Sequence, residues 1–318
     1  MHQVTCSGGS HRNNTQNYGP LQAVNAAVLM RGFVPNEALE DVKETLHSLV
    51  LDADMHTTAG FVGCRYVYAA LTLAGHRSDA LQVALSTSLP SYGYQVAQGA
   101  TTLWENWSGA PDDTNGNAAP SHNHHFLGGI GQWFYQALAG LQLQPLDFGA
   151  GNGSRLPEDD ARAWGRFLVR PEITDAPTLA GMSASLRTRR GLVSVHWANM
   201  TTLARDCGEG RLPAASAASA PGLLSCSLLG STAGAASFTL AVAVPVNAAA
   251  DIALPCVAAD GGRVQANAAV VWRNGAFVAG GSEGVTAGRL ETTRAHGCRV
   301  VLSVVSGAYD FEAAADGR

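Results

Sequence analysis

Apolar residues recur along this chain with two different periods, and the change from one to the other divides it. From Pro20, residues Leu21, Val24, Ala27, Val28 and Leu29 return at helical spacing as far as Gly32, a glycine stop. Pro35-Asn-Glu opens a second helix, with Leu39, Val42, Leu46 and Leu49 along one face and acidic residues in the first turn, where they suit the helix dipole. A glycine-bearing junction, Thr57 to Arg65, leads into a mostly apolar helix over Tyr66 to Leu73 that Gly75 stops. A shorter amphipathic helix follows over His76 to Leu85, Pro90-Ser-Tyr-Gly-Tyr reads as loop, and His124 to Leu141 reads as a buried helix carrying Phe126, Ile130, Trp133, Phe134 and Leu138. Past residue 165 the period is that of strands. Arg166 to Arg170, Ser183 to Thr188, Gly191 to Trp197, Ser237 to Val244, Ala268 to Trp272 and Arg299 to Val305 alternate or run apolar between turn residues.

This pattern predicts a multidomain chain, α then β: helical pairs over 1–148, a linker rich in Gly, Asp, Asn and Pro over 149–165, and an antiparallel β-sandwich over 166–318. Residues 207–236, enriched in Ala, Ser and Gly without a period, read as a low-complexity insertion between strands. Residues 1–17 read as a polar loop, and 313–318 as a fraying tail.

Composition narrows the function classes. Of 318 residues 46% are hydrophobic and only 14% charged, with a net charge of −5 and no long basic run, which excludes a nucleic-acid footprint and an anionic membrane as partner and favours a neutral ligand. No apolar run is long enough to span a bilayer, and the start lacks the regions of a signal peptide, so the residues leave the compartment unassigned. The six cysteines show no C-x-x-C spacing, which argues against zinc on cysteine. The four late ones, Cys207, Cys226, Cys256 and Cys298, read equally as two disulfides or as free buried thiols. Sequons stand at Asn13, Asn106, Asn152 and Asn199.

Candidate chemistry concentrates in Trp104-Glu105-Asn106-Trp107 and, about twenty residues on, Ser121-His-Asn-His-His125. A carboxylate between two indoles, with imidazoles near, suits a sugar site: aromatic faces stack on pyranose rings, polar groups bind hydroxyls, and the carboxylate activates water. The plainer reading is core tryptophans with a surface glutamate. A glycan on Asn106 would fill any cleft beside Glu105.

Five stretches then carry a family resemblance: His56-Thr-Thr-Ala-Gly-Phe-Val-Gly-Cys-Arg-Tyr, Pro90-Ser-Tyr-Gly-Tyr, Gly99-Ala-Thr-Thr-Leu-Trp-Glu-Asn-Trp, Ser121-His-Asn-His-His-Phe-Leu-Gly-Gly-Ile-Gly-Gln-Trp-Phe-Tyr and Val305-Ser-Gly-Ala-Tyr-Asp-Phe. In order and spacing they resemble the C-terminal part of an α-L-rhamnosidase, an inverting glycoside hydrolase with a six-hairpin (α/α)6 barrel. The resemblance implies part of that barrel followed by the β-sandwich, hydrolysis of terminal α-L-rhamnosides by inversion, and no cofactor and no metal. It implies Glu105 as general base, Trp104 and Trp107 as sugar-contacting or wall residues, and His124 as a hydroxyl ligand. His56, at the glycine junction, reads equally as substrate-binding or structural, and His122 and His125 as helix-start residues.

The departures matter too. Ser108 stands where the motif usually turns acidic, and Gln132 where a Glu is usual. The acidic segment that supplies the family's general acid has no match here, while inversion needs two carboxyl groups. Asp52, Asp54, Asp112 and Asp113 are the nearest carboxylates in sequence and read as solvated loop residues. The expectation is therefore a base without its acid, inactive or very weak alone, whose open half-barrel calls for the missing barrel half or self-association. The alternatives are a non-catalytic carbohydrate-binding remnant and an inactive gene-model fragment.

Overall fold

The computed structural model describes residues 20–110, 120–143, 164–172, 178–209, 237–293 and 296–315. The expected N-terminal polar loop, nearly all of the linker, most of the 207–236 insertion, the end of the tail, and Asp112 and Asp113 lie outside these residues. The described residues divide into two compact units, the first ending at Phe134 and the second beginning at Tyr135.

In the helical unit, α1 (Pro20–Met30), α2 (Leu39–Leu51), α3 (Cys64–Ala74) and α4 (Arg77–Leu85) follow the apolar periods. Helix α3 is the hub, packed against α1, α2 and α4, with Val67, Tyr68, Leu71 and Leu73 buried. Gly75 ends it in the left-handed region at φ +99°, which favours glycine. Buried Gln22 ties α1 to its surroundings: its amide donates to Leu49 O (2.9 Å) and His56 O (3.1 Å) and accepts from Thr58 N (2.9 Å).

Two helical expectations need correction. Pro90-Ser-Tyr-Gly-Tyr is not all loop, because α5 (Tyr92–Ala97) starts inside it, with the Ser91 hydroxyl accepting from Tyr94 N at 2.9 Å. Six residues are too few for a period to show, but the N-cap serine was in view. The second correction concerns His124 to Leu141, which is not one regular buried helix. It runs as a 3-10 turn (His125–Gly129), one α turn (α6, Ile130–Trp133) and a π turn (Phe134–Leu138). Gly128, Gly129 and Gly131 weaken regular helix there. A Cβ on Gly129 would stand 2.5 Å from that of Arg65, so glycine lets the segment approach α3. Ile130, Trp133 and Leu138 are buried, whereas Phe126 and Phe134 are exposed. Trp133 anchors the segment on α3, donating from Nε1 to Thr72 Oγ1 at 2.9 Å.

The sheet unit contains β1 (Leu141–Gln142), β2 (Arg166–Val169), β3 (Gly181–Thr188), β4 (Gly191–Asn199), β5 (Phe238–Pro255), β6 (Arg263–Ala266), β7 (Ala269–Arg273), β8 (Ala276–Phe277), β9 (Val285–Thr293) and β10 (Gly297–Ala314). Strands β5 and β10, 18 residues each, pair antiparallel along most of their length. Their register breaks between Val305 and Gly307, opposite Pro245-Val-Asn247-Ala, where Asn247 takes φ +58°. On one side of the break β5 carries β4 and β3 while β10 carries β6, β7 and β8; on the other, β5 carries β2 and β1 while β10 carries β9. Phe167, Trp197, Ile252, Trp272, Leu302 and Phe311, drawn from both sides, share one buried cluster, so the sheet folds over on itself around a common core. One pairing departs from the antiparallel expectation: β2 runs parallel to β5. An unexpected helix, Met200–Gly208, follows β4; the Asn199 side chain caps it, accepting from Thr202 N at 3.0 Å.

A buried carboxylate in this unit is paired at both oxygens. Glu172, almost fully buried, accepts from Arg170 Nε at 2.7 Å and from His296 Nδ1 at 3.0 Å. Burial alone would push its carboxyl up, but the His296 hydrogen bond and the charges of Arg170, His296 and Arg299 hold it down at about 2. Cys256 and Cys298 form a disulfide between the end of β5 and the start of β10, and Cys207 is disulfide-bonded as well. For these three the oxidised alternative holds.

Candidate functional site

The site loop runs from the end of α5 to the 3-10 turn, and its two motifs lie side by side. Glu105 N donates to Ser121 O (2.9 Å), His124 N donates to Leu103 O (2.8 Å), and the Thr102 hydroxyl bonds His122 O. A short irregular ladder thus joins residues far apart in sequence. The Glu105 carboxylate is held at one oxygen, Oε2, which accepts from Ser121 N at 2.9 Å and lies 4.0 Å from His124 Nδ1. The described residues give Oε1 no partner, and the side chain is 41% exposed. A carboxylate fixed at one oxygen and open to water at the other can take a proton from water.

His124 packs against Phe61 and Phe126, each ring centroid at 5.2 Å, while those two rings stack on each other at 5.6 Å, and its Nε2 is buried and unpartnered among the described residues. That nitrogen remains available to a hydroxyl. Its neighbours differ. His122 donates from Nε2 to Gly109 O (2.9 Å) and stacks on Trp104 at 4.6 Å, while His125 packs against Phe126. His56 is engaged at both nitrogens: Nδ1 donates to the carbonyls of Asp54 (2.6 Å) and Ala53 (3.2 Å), and Nε2 accepts from the hydroxyls of Ser88 (2.7 Å) and Ser86 (2.9 Å). It fastens the turn after α2 to the loop after α4, and none of these contacts reaches Glu105.

The tryptophans are packed. Trp104 is 8% exposed, covered by His122 on one side and closely approached by Gly109, whose φ of +66° and lack of a Cβ permit a contact that a Cβ would make at 2.4 Å. Trp107 is half-buried, donates from Nε1 to Ala59 O (2.9 Å), and meets Tyr92 edge-on at 5.0 Å. Both lie in the wall that shapes the loop. The Asn106 amide closes the next turn, donating to Ala110 O (3.0 Å) and accepting from Gly109 N (2.7 Å). Ser108, in the position usually acidic, accepts from Ala110 N at 3.2 Å.

The structure thus brings Glu105, His124 and Trp104 together, links Trp107 to the glycine junction, and leaves His56 in separate contacts. Phe61 was not singled out from the sequence and Phe126 was read as a buried helix residue, although each lies inside a motif; irregular backbone offers no period to mark a ring as a wall. No three metal-ligating side chains converge around Glu105 among the described residues.

Residues 7–138 match the family described as the bacterial α-L-rhamnosidase six-hairpin glycosidase domain. Curated relatives include α-L-rhamnosidases from Streptomyces avermitilis, 31% identical over 126 residues, and from Formosa agariphila, 30% identical over 163 residues. These matches cover 39% and 51% of this chain but only 12% and 16% of the relatives, so the chain spans a small part of their length. Among solved structures, the α-L-rhamnosidase from Dictyoglumus thermophilum superposes with a TM-score of 0.62 at 23% identity, over 92% of this chain and 25% of that one. That of Streptomyces avermitilis complexed with L-rhamnose gives 0.59 at 22%, over 92% and 21%. At this identity the likeness speaks for the fold, in helical and sheet units alike. Residues 7–138 are thus similar in sequence to the six-hairpin glycosidase domain of bacterial α-L-rhamnosidases, and the described residues share the fold of part of the solved α-L-rhamnosidases.

Proposed function

We propose that this chain supplies the general-base side of an α-L-rhamnoside-hydrolysing site. One observation carries the reading: Glu105 is fixed by Ser121 N at Oε2, open at Oε1, and set 4.0 Å from His124. Glu105 takes a proton from a water that attacks the anomeric carbon from the face opposite the leaving group, so the configuration inverts. His124 Nε2 bonds a sugar hydroxyl, Phe61, Phe126 and Trp107 form apolar walls, and Trp104 positions the loop. His56 acts as a loop clasp rather than a sugar ligand. Inverting hydrolysis needs a second carboxyl group about 6.5–9.5 Å from the first. Among the described residues Glu105 contacts no second carboxyl group, so this reading takes the acid from outside them. The carbohydrate-binding remnant is less favoured, because Trp104 is packed into protein instead of offering a free face.

Incubated with an aryl α-L-rhamnoside, the 318-residue chain is expected to release no aglycone. Turnover abolished by Glu105→Gln would keep the base and overturn the external acid; turnover indifferent to that change would overturn the base. In calorimetric titration with L-rhamnose, His124→Ala is expected to weaken binding roughly tenfold, the worth of a hydrogen bond of about 1.4 kcal/mol. Unchanged affinity would remove His124 from the site.

A further inference from the structure

Helices α2 and α4 bring together a second set of ionisable side chains, none of which touches the loop of Glu105. Glu44 and His47 are three apart on α2 and share a face; His76, the residue before α4, and Asp79 are also three apart. The imidazoles of His47 and His76 stack at 3.6 Å between centroids, 17° from parallel. His47 Nε2 lies 2.8 Å from Asp79 Oδ2, and since a carboxylate only accepts, the proton of the neutral ring sits on Nε2 and the lone pair is left on Nδ1. His76 Nε2 lies 3.9 Å from Glu44 Oε1, is buried, and has no hydrogen-bond partner among the described residues. One donor atom each from Glu44, His47 and His76 lies within 4.8 Å of the others.

The hydrogen bond from His47 to Asp79 explains part of this arrangement. It leaves unexplained why a second imidazole is stacked against the first, and why its free nitrogen is turned towards another carboxylate. Two stacked imidazoles repel when both are protonated. Two neutral nitrogen donors and a carboxylate are a borderline-soft set that suits zinc, with the fourth position left to water.

We propose that Glu44, His47 and His76 form a binding site for a divalent transition ion, zinc foremost, with His47 ligating through Nδ1, His76 through Nε2, and Asp79 orienting His47 from outside the ligand set. Glu44, 69% exposed, is free to close onto the ion, and the two stacked rings turn out of parallel so that the lone pair of each, which lies in its ring plane, faces it. The ion would join α2 to α4. The absence of cysteine pairs does not bear on such a site, whose ligands come from two helices at spacings that carry no metal signature in sequence.

The test uses the full chain without a polyhistidine tag, stripped of metal and titrated with Zn2+ by calorimetry and thermal melting. One ion per chain at micromolar concentration, a raised Tm, and a visible four-coordinate spectrum with Co2+ are expected. Asp79→Asn should weaken binding about 10- to 100-fold, as loss of a carboxylate behind a ligating histidine does. His76→Ala should abolish it. Glu44→Gln, at an exposed position that leaves the fold intact, should weaken it as well. No saturable binding would overturn the site, as would zinc affinity unchanged in both Glu44→Gln and His76→Ala, which would put the ion on other histidines.

Discussion

The sheet unit and the helical unit place their unusual groups differently. In the sheet unit one buried cluster draws side chains from both sides of the fold in β5 and β10, and a buried carboxylate is answered by Arg170 and His296. In the helical unit α3 gathers the core, while the residues fit for chemistry sit on an irregular loop, with Glu105 half open to water and His124 Nε2 unanswered. Satisfied buried polar groups make a unit rigid; unsatisfied ones near a surface make it available to a ligand.

Substitutions can break or sharpen that contrast. The largest effect is expected from Trp197→Ala in the sheet core. Its side chain is fully buried and its Nε1 donates to Leu138 O at 2.7 Å, so truncation should cost about 3–5 kcal/mol by denaturant unfolding. A loss below about 1 kcal/mol would deny the shared core its role.

Acid tests the carboxylate. Glu172 in the folded chain titrates at about 2 against an ordinary 4.5, so its contribution is fully present above 4.5 and drains away as pH falls towards 2. The fall is expected to be on the order of 3 kcal/mol, and Glu172→Gln should remove this part of the slope while costing stability at neutral pH. A variant with the same acid profile as the parent would show the group to be incidental.

The smallest global effect, and the most local, is expected from Gly109→Ala. The φ of +66° and the 2.4 Å approach to Trp104 should cost about 1–2 kcal/mol, read as altered Trp104 fluorescence and weaker L-rhamnose binding. If sheet-unit stability fell instead, the separation drawn between the two regions would fail.

Much of the fold was legible because burial imposes a period. Val42 and Leu46 on α2, Gly75 after α3, and the alternation of Val193, Val195 and Trp197 in β4 could be read directly. Strand β9 could not be read: only Val285 of its nine residues is buried, so no alternation marks it. The three alanines at 248–250 hid the continuation of β5 past its break. The 3-10, α and π turns of 125–138 answer the glycines and the docking of Trp133, and a single helical period describes none of that.

By itself the sequence determined the change from helical to strand period, the turns at glycine, and the residue types gathered near Glu105, since each follows from local sterics or from which face can be buried. The family resemblance pointed to His124, but the residues alone could not rank four neighbouring or similar imidazoles. His56, His122, His124 and His125 are chemically alike, and only tertiary structure decided that His56 would be taken up by two serines and two carbonyls, and His122 by Gly109 and Trp104, while His124 kept a free nitrogen. The physical reason is that a histidine's role is set by the partners at its two nitrogens, and those partners come from loops that meet only when the chain has folded.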